Sequence, residues 1–182
     1  MRMFTALVPP PTVLGEIEDF VAPRRGTDPA VRVVDVDSWH VTTAFAESVS
    51  HRRIDRLVEE LTGLAARTAP IDVALGGAGC FPNPAQAKVL YLVAEPAEPL
   101  GALAAACRQA ASHAGIEVDG ARFHPHLTLA RMRRPVEATK WLRVLDACPP
   151  ASWHAAELLL IESHLRDRTN RYEVVERFHL SG

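Results

Sequence analysis

The alternation of apolar and polar residues divides the chain into short strands and amphipathic helices. Apolar residues recur with helical spacing in two long segments, 54–64 and 100–111, and Ser50 is a residue type suited to capping the first. Two shorter helices are predicted at 13–21 and at about 137–145. Runs rich in β-branched residues predict strands at 4–8, 31–36, 39–46, 71–78, 88–94, 153–162 and 172–179, with a further strand after His126.

The links between neighbouring strands decide the fold class. Strands 71–78 and 88–94 are joined through a loop that begins at Gly76 and Gly77, which is too short for a crossover helix. Such links favour antiparallel pairing over the parallel sheet that a simple alternation of strands and helices would otherwise suggest. We therefore predict an α+β fold.

An internal repeat predicts how the elements are grouped. The strands that contain His40 and His126 are each followed by a helix and then by two strands. This order predicts two pseudo-symmetric lobes around a central groove, each an antiparallel sheet flanked by helices.

Composition limits the class of protein. With 182 residues, 48% of them hydrophobic, the chain is long enough for one sizeable core, and we expect a single domain over 1–182. The formal charge of -2 provides no general attraction for a polyanion, so any contact with nucleic acid must come from a local basic cluster. The three cysteines have no metal-binding spacing, and neither a signal peptide nor a membrane span is evident, so we expect a cytoplasmic protein.

Two six-residue phrases, 40–45 and 126–131, share a pattern. In each, a histidine is followed two residues later by a threonine: Thr42 follows His40, and Thr128 follows His126. Because a strand alternates its faces with a period of two, the histidine and threonine of each phrase lie side by side. One histidine that accepts a proton and another that donates one are the minimum needed to break a phosphodiester without a metal.

The sixth position of each phrase also holds a large functional side chain. Phe45 and Arg131 come five residues after their histidines, so an ideal strand would point them to the opposite face. We therefore expect a bulge, a twist or a strand end to turn them back towards the histidines.

The phrases and several other segments resemble the bacterial and archaeal RNA 2′,3′-cyclic phosphodiesterases, formerly called 2′-5′ RNA ligases, of the two-histidine phosphoesterase superfamily. The resemblance covers nearly the whole chain. Its other segments are Arg2-x-Phe4-x-Ala6 with Pro9-Pro10, Phe81-Pro82 with Val89-Leu90-Tyr91, and Ile161-Glu162-Ser163-His164-Leu165 with Tyr172 and the closing Phe178-His179-Leu180. Thr43 and Tyr91 depart from the usual leucine and tryptophan, which bears on substrate fit.

The resemblance implies hydrolysis of RNA 2′,3′-cyclic phosphate ends to 2′-phosphomonoesters, with no cofactor and no metal. It assigns His126 as the proton acceptor and His40 as the proton donor. Thr42 and Thr128 are expected to bind the non-bridging phosphate oxygens, and Arg131 to add positive charge.

The expected partners are RNA 3′ ends or cyclic nucleotides with a 2′,3′-cyclic phosphate, and the expected oligomeric state is a monomer. Phe45 is expected to stack on the terminal base. Ligation to a 2′-5′ linkage is the reverse of cleavage and is disfavoured in water, so we expect at most a side activity.

Two other functions remain open from the residues alone. His124, His126 and His40 are potential ligands of a metal-dependent enzyme. A non-catalytic module that binds RNA ends is the second alternative. Two arginine groups, Arg133 with Arg134 and Arg166 with Arg168 and Arg171, are either solvated or part of an RNA-binding rim.

Overall fold

A computed structural model describes residues 1–166 and 169–182. These residues form four α-helices, nine β-strands and a few single 3-10 turns. The helices are α1 (Pro11–Val21), α2 (Ile54–Ala65), α3 (Ala97–His113) and α4 (Thr139–Asp146). The strands are β1 (Arg2–Leu7), β2 (Val31–Val33), β3 (Val41–Ala46), β4 (Ile71–Phe81), β5 (Ala87–Glu95), β6 (His126–Val136), β7 (Ala151–Ala155), β8 (Glu157–Arg166) and β9 (Thr169–His179).

All the described strands pair in one antiparallel sheet in the order β7-β4-β5-β6-β3-β1-β8-β9, and β2 also pairs with β6. The ladder between β3 and β6 consists of the pair Val41 and Leu127. This seam divides the sheet into lobe A, formed by β3, β1, β8 and β9, and lobe B, formed by β6, β5, β4 and β7. The predicted α+β class with two antiparallel lobes is thereby confirmed.

The helices cover the two lobes in matching pairs. In lobe A, α3 packs on β3 and α2 packs on both α3 and β9, while in lobe B α4 packs on β4 and α1 on β7. The helical spacing predicted from sequence places Leu57, Leu61 and Leu64 of α2 in the interior. Val41 and Leu127 are fully buried, so the apolar core continues beneath the seam.

The lobes do not follow chain order. β4 and β5 come after β3 in the sequence but lie in lobe B, and β8 and β9 come after β6 but lie in lobe A. The strands that follow from the two phrases, β3 and β6, are the inner strands of their lobes. The next two strands after β3 lie in the opposite lobe, whereas β6 is followed first by β7 in its own lobe and then by β8 and β9 in the other. The pseudo-symmetry therefore relates two lobes that have exchanged strands.

Three predicted strands differ from the observed ones. The strand predicted at 31–36 ends at Val33, because the chain turns away to form the 3-10 turn Val36–Ser38. The strand predicted at 71–78 continues to Phe81 through a bulge between Leu75 and Ala78, so Gly76 and Gly77 lie within it. The strand predicted at 153–162 is two strands, because the chain leaves lobe B for lobe A at Ala156.

The start of α2 also differs from the prediction. Ser50 precedes a 3-10 turn, and its side chain makes no capping hydrogen bond, so the predicted cap is wrong. Over the part of the chain that the structure describes, no helix is long and apolar enough to cross a membrane.

Candidate active site

The seam between the lobes brings the two histidine phrases together. With Val41 opposite Leu127 in an antiparallel ladder, His40 lies across from Thr128, and Thr42 lies across from His126. All four side chains line one cavity of about 240 Å³. The local twofold relation thus passes through the Val41–Leu127 pair, and each histidine lies beside the threonine of the other phrase.

A β-bulge occurs at the same place in both phrases. On β3, Ala6 pairs with Thr42 but Thr5 pairs with Ala44, so Thr43 is the extra residue. On β6, Tyr91 pairs with Thr128 but Leu90 pairs with Ala130, so Leu129 is the extra residue. Both bulge residues are buried, and the strand distortion expected from the sequence is confirmed.

The bulge at Leu129 brings Arg131 to the cavity. Thr128 and Arg131 pair with Tyr91 and Val89, which are two residues apart on β5 and therefore share a face. The guanidinium group of Arg131 accordingly lines the cavity beside both histidines. Arg131 therefore lies at the same cavity as both histidines, and its role in binding phosphate stays a prediction.

The equivalent bulge on β3 gives Phe45 a different position. Phe45 and Thr42 pair with Phe4 and Ala6, so they share a face of the sheet. Phe45 nevertheless lies outside the residues that line the cavity, with the guanidinium carbon of Arg2 at 5.1 Å from its ring centroid. Its predicted role in stacking on a base stays a prediction that this position does not favour.

Each histidine ring is held by a backbone carbonyl two residues earlier, in the turn or loop that precedes the strand. The Nδ1 atom of His40 lies 2.8 Å from the carbonyl oxygen of Ser38, and Nδ1 of His126 lies 2.5 Å from the carbonyl oxygen of His124. Because a carbonyl only accepts, Nδ1–H is the donor in both, and Nε2 of the neutral ring is left free to exchange a proton. Both rings therefore have the same tautomer.

A phenylalanine and a tyrosine flank each imidazole. The ring of His40 stacks on Phe4 at 4.7 Å and meets the edge of Tyr172 at 5.4 Å. The ring of His126 lies 5.0 Å from both Phe81 and Tyr91. These aromatic walls limit rotation of the rings and exclude water from one side of each.

Glycine is required behind one of these walls. A Cβ atom at Gly79 would lie 2.3 Å from the ring of Tyr91, so only glycine allows that ring to remain in place. Gly79 therefore supports the position of Tyr91, which in turn packs against His126.

Burial disfavours the charged form of both histidines. It lowers the pKa of His40 to about 4. Positive charge on His126 and Arg131 also lowers this pKa, whereas the hydrogen bond to the Ser38 carbonyl raises it. Burial also lowers the pKa of His126, and Arg131 adds to this effect. Without a bound anion, both rings are therefore neutral at pH 7.

The low pKa of His40 predicts acid sensitivity of the fold. The unfolded chain takes up this proton near pH ~6.5 and the folded chain near pH ~4, so stability falls as the pH falls through this window. Between pH 7 and pH 4, we expect the free energy of unfolding of the wild type to fall by about 3 kcal/mol more than that of the His40→Asn variant. Urea denaturation of both proteins across this range measures the difference, and identical pH dependence would contradict it.

The sequence interpretation missed Arg32, Asp35 and Tyr172 as lining residues of the cavity. Arg32 on β2 pairs directly with Arg131 on β6. Nothing in the local sequence signals that pairing, since β2 and β6 are far apart in the chain. Tyr172 belongs to a segment that carried the family resemblance, and that was the one available signal.

The potential metal ligands do not converge. Among residues 1–166 and 169–182, no group of three or more His, Cys, Asp or Glu side chains is placed to hold a metal ion. His124 instead has its ring 5.9 Å from that of Phe81. Of the second predicted arginine group, Arg168 lies outside the described residues.

Comparison with known proteins supports a relationship over most of the chain. The family model of the 2′-5′ RNA ligase superfamily matches residues 9–167. A protein of Geobacillus stearothermophilus named RNA 2′,3′-cyclic phosphodiesterase is 28% identical over 151 residues, which cover 82% of this chain and 48% of that protein. The chain thus spans about half the length of this relative.

Two further similarities cover nearly the whole of both partners. A Thermus thermophilus protein, also named RNA 2′,3′-cyclic phosphodiesterase, is 29% identical over 191 residues, covering 100% of this chain and 91% of the relative. The crystal structure of E. coli LigT complexed with 3′-AMP is 26% identical and superposes with a TM-score of 0.79, covering 100% of this chain and 98% of that one. With its two histidine phrases facing across the seam, the chain belongs to the 2′-5′ RNA ligase superfamily.

Proposed function

We propose that this protein hydrolyses RNA 2′,3′-cyclic phosphate ends to 2′-phosphomonoester ends without a metal ion. The observation that carries the proposal is the arrangement of His40 and His126 on either side of the seam, lining one cavity with Nδ1 bonded to the backbone in both rings. Two imidazoles with free Nε2 atoms around one small polar cavity suit in-line displacement at phosphorus. The names of the relatives support the same activity.

The proton transfers follow from the family assignment. His126 accepts a proton from water as the water oxygen attacks phosphorus, and His40 donates a proton to the departing 3′ oxygen. The P–O3′ bond breaks, and the products are a 2′-phosphate and a free 3′ hydroxyl. The two histidines end with exchanged protonation states, which solvent restores before the next turnover.

A bound phosphodiester anion prepares His40 for its role. Burial holds the pKa of His40 near 4, which leaves the ring neutral at pH 7 and unable to donate. A negative charge in the cavity favours the protonated ring and raises this pKa. Substrate binding and protonation of His40 are therefore coupled.

The remaining lining residues hold the charge of the phosphate. The hydroxyl groups of Thr42 and Thr128 face the cavity from opposite strands and suit donation to the two non-bridging oxygens. Arg131 supplies a fixed positive charge at the same cavity. Together they compensate charge that must be held through the transition state.

The alternatives fit the geometry less well. A metal-dependent enzyme would need His124, His126 and His40 to converge, whereas Nδ1 of His126 is bonded to the carbonyl of His124. A module that only binds RNA ends would not need the same tautomer in both rings. Ligation of a 5′ hydroxyl to form a 2′-5′ linkage uses the same groups, and water competes with it.

Identifying the product in the presence of a chelator tests the proposal. We expect a 2′,3′-cyclic-phosphate oligonucleotide incubated in excess EDTA to yield a 2′-phosphate and no 3′-phosphate. Chromatography against authentic 2′- and 3′-phosphate standards separates these outcomes. Activity that disappears with EDTA and returns with a divalent metal would support the metal-dependent alternative.

A further inference from the structure

A second, strongly basic depression adjoins the phosphate cavity. It has a volume of about 500 Å³. Among the described residues, 1–166 and 169–182, its lining contains no acidic side chain and four arginines: Arg32, Arg131, Arg133 and Arg134. Arg32 and Arg131 line both this depression and the cavity of the histidines. The two concave surfaces are therefore continuous, and positive charge extends from the reacting position along β2 and β6.

Backbone geometry concentrates this charge. The bulge at Leu129 turns Arg131 to the cavity face, and antiparallel pairing sets Arg32 of β2 directly opposite it. Two guanidinium groups at paired positions of neighbouring strands can contact the same phosphate group.

Two acidic residues near the depression, Asp28 and Glu137, have other partners, and Asp35 lies in the lining of the histidine cavity beside Arg32. Asp28 accepts hydrogen bonds from the indole N–H of Trp141 at 3.0 Å and from the backbone N–H of Ala30 at 2.9 Å. Glu137 accepts from the backbone N–H of Thr139 at 3.0 Å. These carboxylates are thus committed to the loop and helix structure around the depression.

We propose that this basic depression binds the backbone phosphates of an RNA strand whose terminal cyclic phosphate occupies the histidine cavity. This inference rests on the proposed function and narrows its substrate class to RNA strands of several nucleotides, in preference to cyclic mononucleotides. A net charge of -2 gives the protein no general affinity for RNA, so recognition must come from a local cluster of this kind. Arg133 and Arg134, which line only the second depression, then belong to an RNA-binding rim.

The test compares two substrates in one double variant. Arg133→Gln with Arg134→Gln is expected to reduce kcat/KM at least about tenfold for an oligonucleotide of about ten residues ending in a 2′,3′-cyclic phosphate. Hydrolysis of 2′,3′-cyclic CMP should stay within about twofold of the wild type, because neither arginine lines the histidine cavity. The matched control, Arg52→Gln with Arg143→Gln, makes the same charge change at exposed positions elsewhere and should affect neither substrate.

Salt dependence gives a readout that does not require turnover. The measurement is the affinity of the protein for the same oligonucleotide carrying a 3′-terminal phosphate, followed by fluorescence anisotropy at several salt concentrations. In the double variant, the slope of log affinity against log salt should be shallower by about 1.4, which corresponds to two lost phosphate contacts. An unchanged slope, or equal effects on both substrates, would overturn the inference. Failure of the wild type to hydrolyse either substrate would instead overturn the proposed function, since the anisotropy result stands apart from catalysis.

Discussion

Replacing His126 by alanine should reduce hydrolysis of a 2′,3′-cyclic phosphate by roughly a hundred- to ten-thousand-fold, and His40→Ala should do the same. The reason is that each Nε2 provides one of the two proton transfers, so removing either imidazole removes one of them. Initial rates with 2′,3′-cyclic CMP at saturating substrate measure the loss. The double variant should be little worse than either single one, because the two histidines act as a unit.

The control for this result is an exposed histidine outside the seam. His154 pairs with Asp72 at the surface, and His154→Ala should keep full activity. Thermal unfolding of all the variants separates chemical loss from misfolding. If both single variants kept wild-type rates while still binding RNA ends, the protein would be the non-catalytic binding module.

Replacing Arg131 by glutamine is expected to have the second largest effect, a loss of roughly a hundredfold in kcat. Glutamine keeps the hydrogen-bonding capacity but removes the positive charge beside both histidines. Because that charge lowers the pKa of His40 and of His126, the variant should also move the pH–rate profile to higher pH. Steady-state kinetics from pH 5 to pH 9 report both effects.

Two further variants serve as controls for Arg131→Gln. Arg143→Gln, on the exposed side of α4, makes the same change of charge without touching the cavity and should leave kcat and the pH profile unchanged. Arg131→Lys should restore part of the rate, since it returns the charge without the planar guanidinium. A profile that did not move in Arg131→Gln would show that this arginine does not act on the histidines electrostatically.

The four-residue centre of the site was accessible from the sequence because its signals are local. A period of two within each phrase fixes which side chains are neighbours on one strand, whatever the rest of the fold does. A distortion of the strand was also predictable, since Arg131 at the fifth position after His126 reaches the cavity only if the regular alternation is interrupted; that the distortion is a bulge came from the structure. Both inferences needed no knowledge of which strands pair.

The rest depended on contacts between distant segments. Arg32 joins the site only because β2 pairs with β6, nearly a hundred residues later in the chain. The exchange of strand pairs between the lobes is likewise invisible to periodicity, which describes single strands and not their neighbours. Phe45 satisfied the same geometric rule as Arg131 and still lies outside the cavity, because the shape of a cavity depends on the packing of every surrounding element.

The exchange of strands between the lobes determines the order in which the parts of the site come together as the chain folds. The four strands of lobe B all lie between Ile71 and Ala155, so their pairing requires only moderate loops to close. Lobe A instead joins β1 to β8, whose register begins with Arg2 beside Ser163, and closing so long a loop costs more entropy and slows folding. During synthesis from the amino terminus, lobe B therefore has all four of its strands before β1 meets β8. Completion of the catalytic cavity, which needs Tyr172 of β9, is thus a late event that depends on the last strands made.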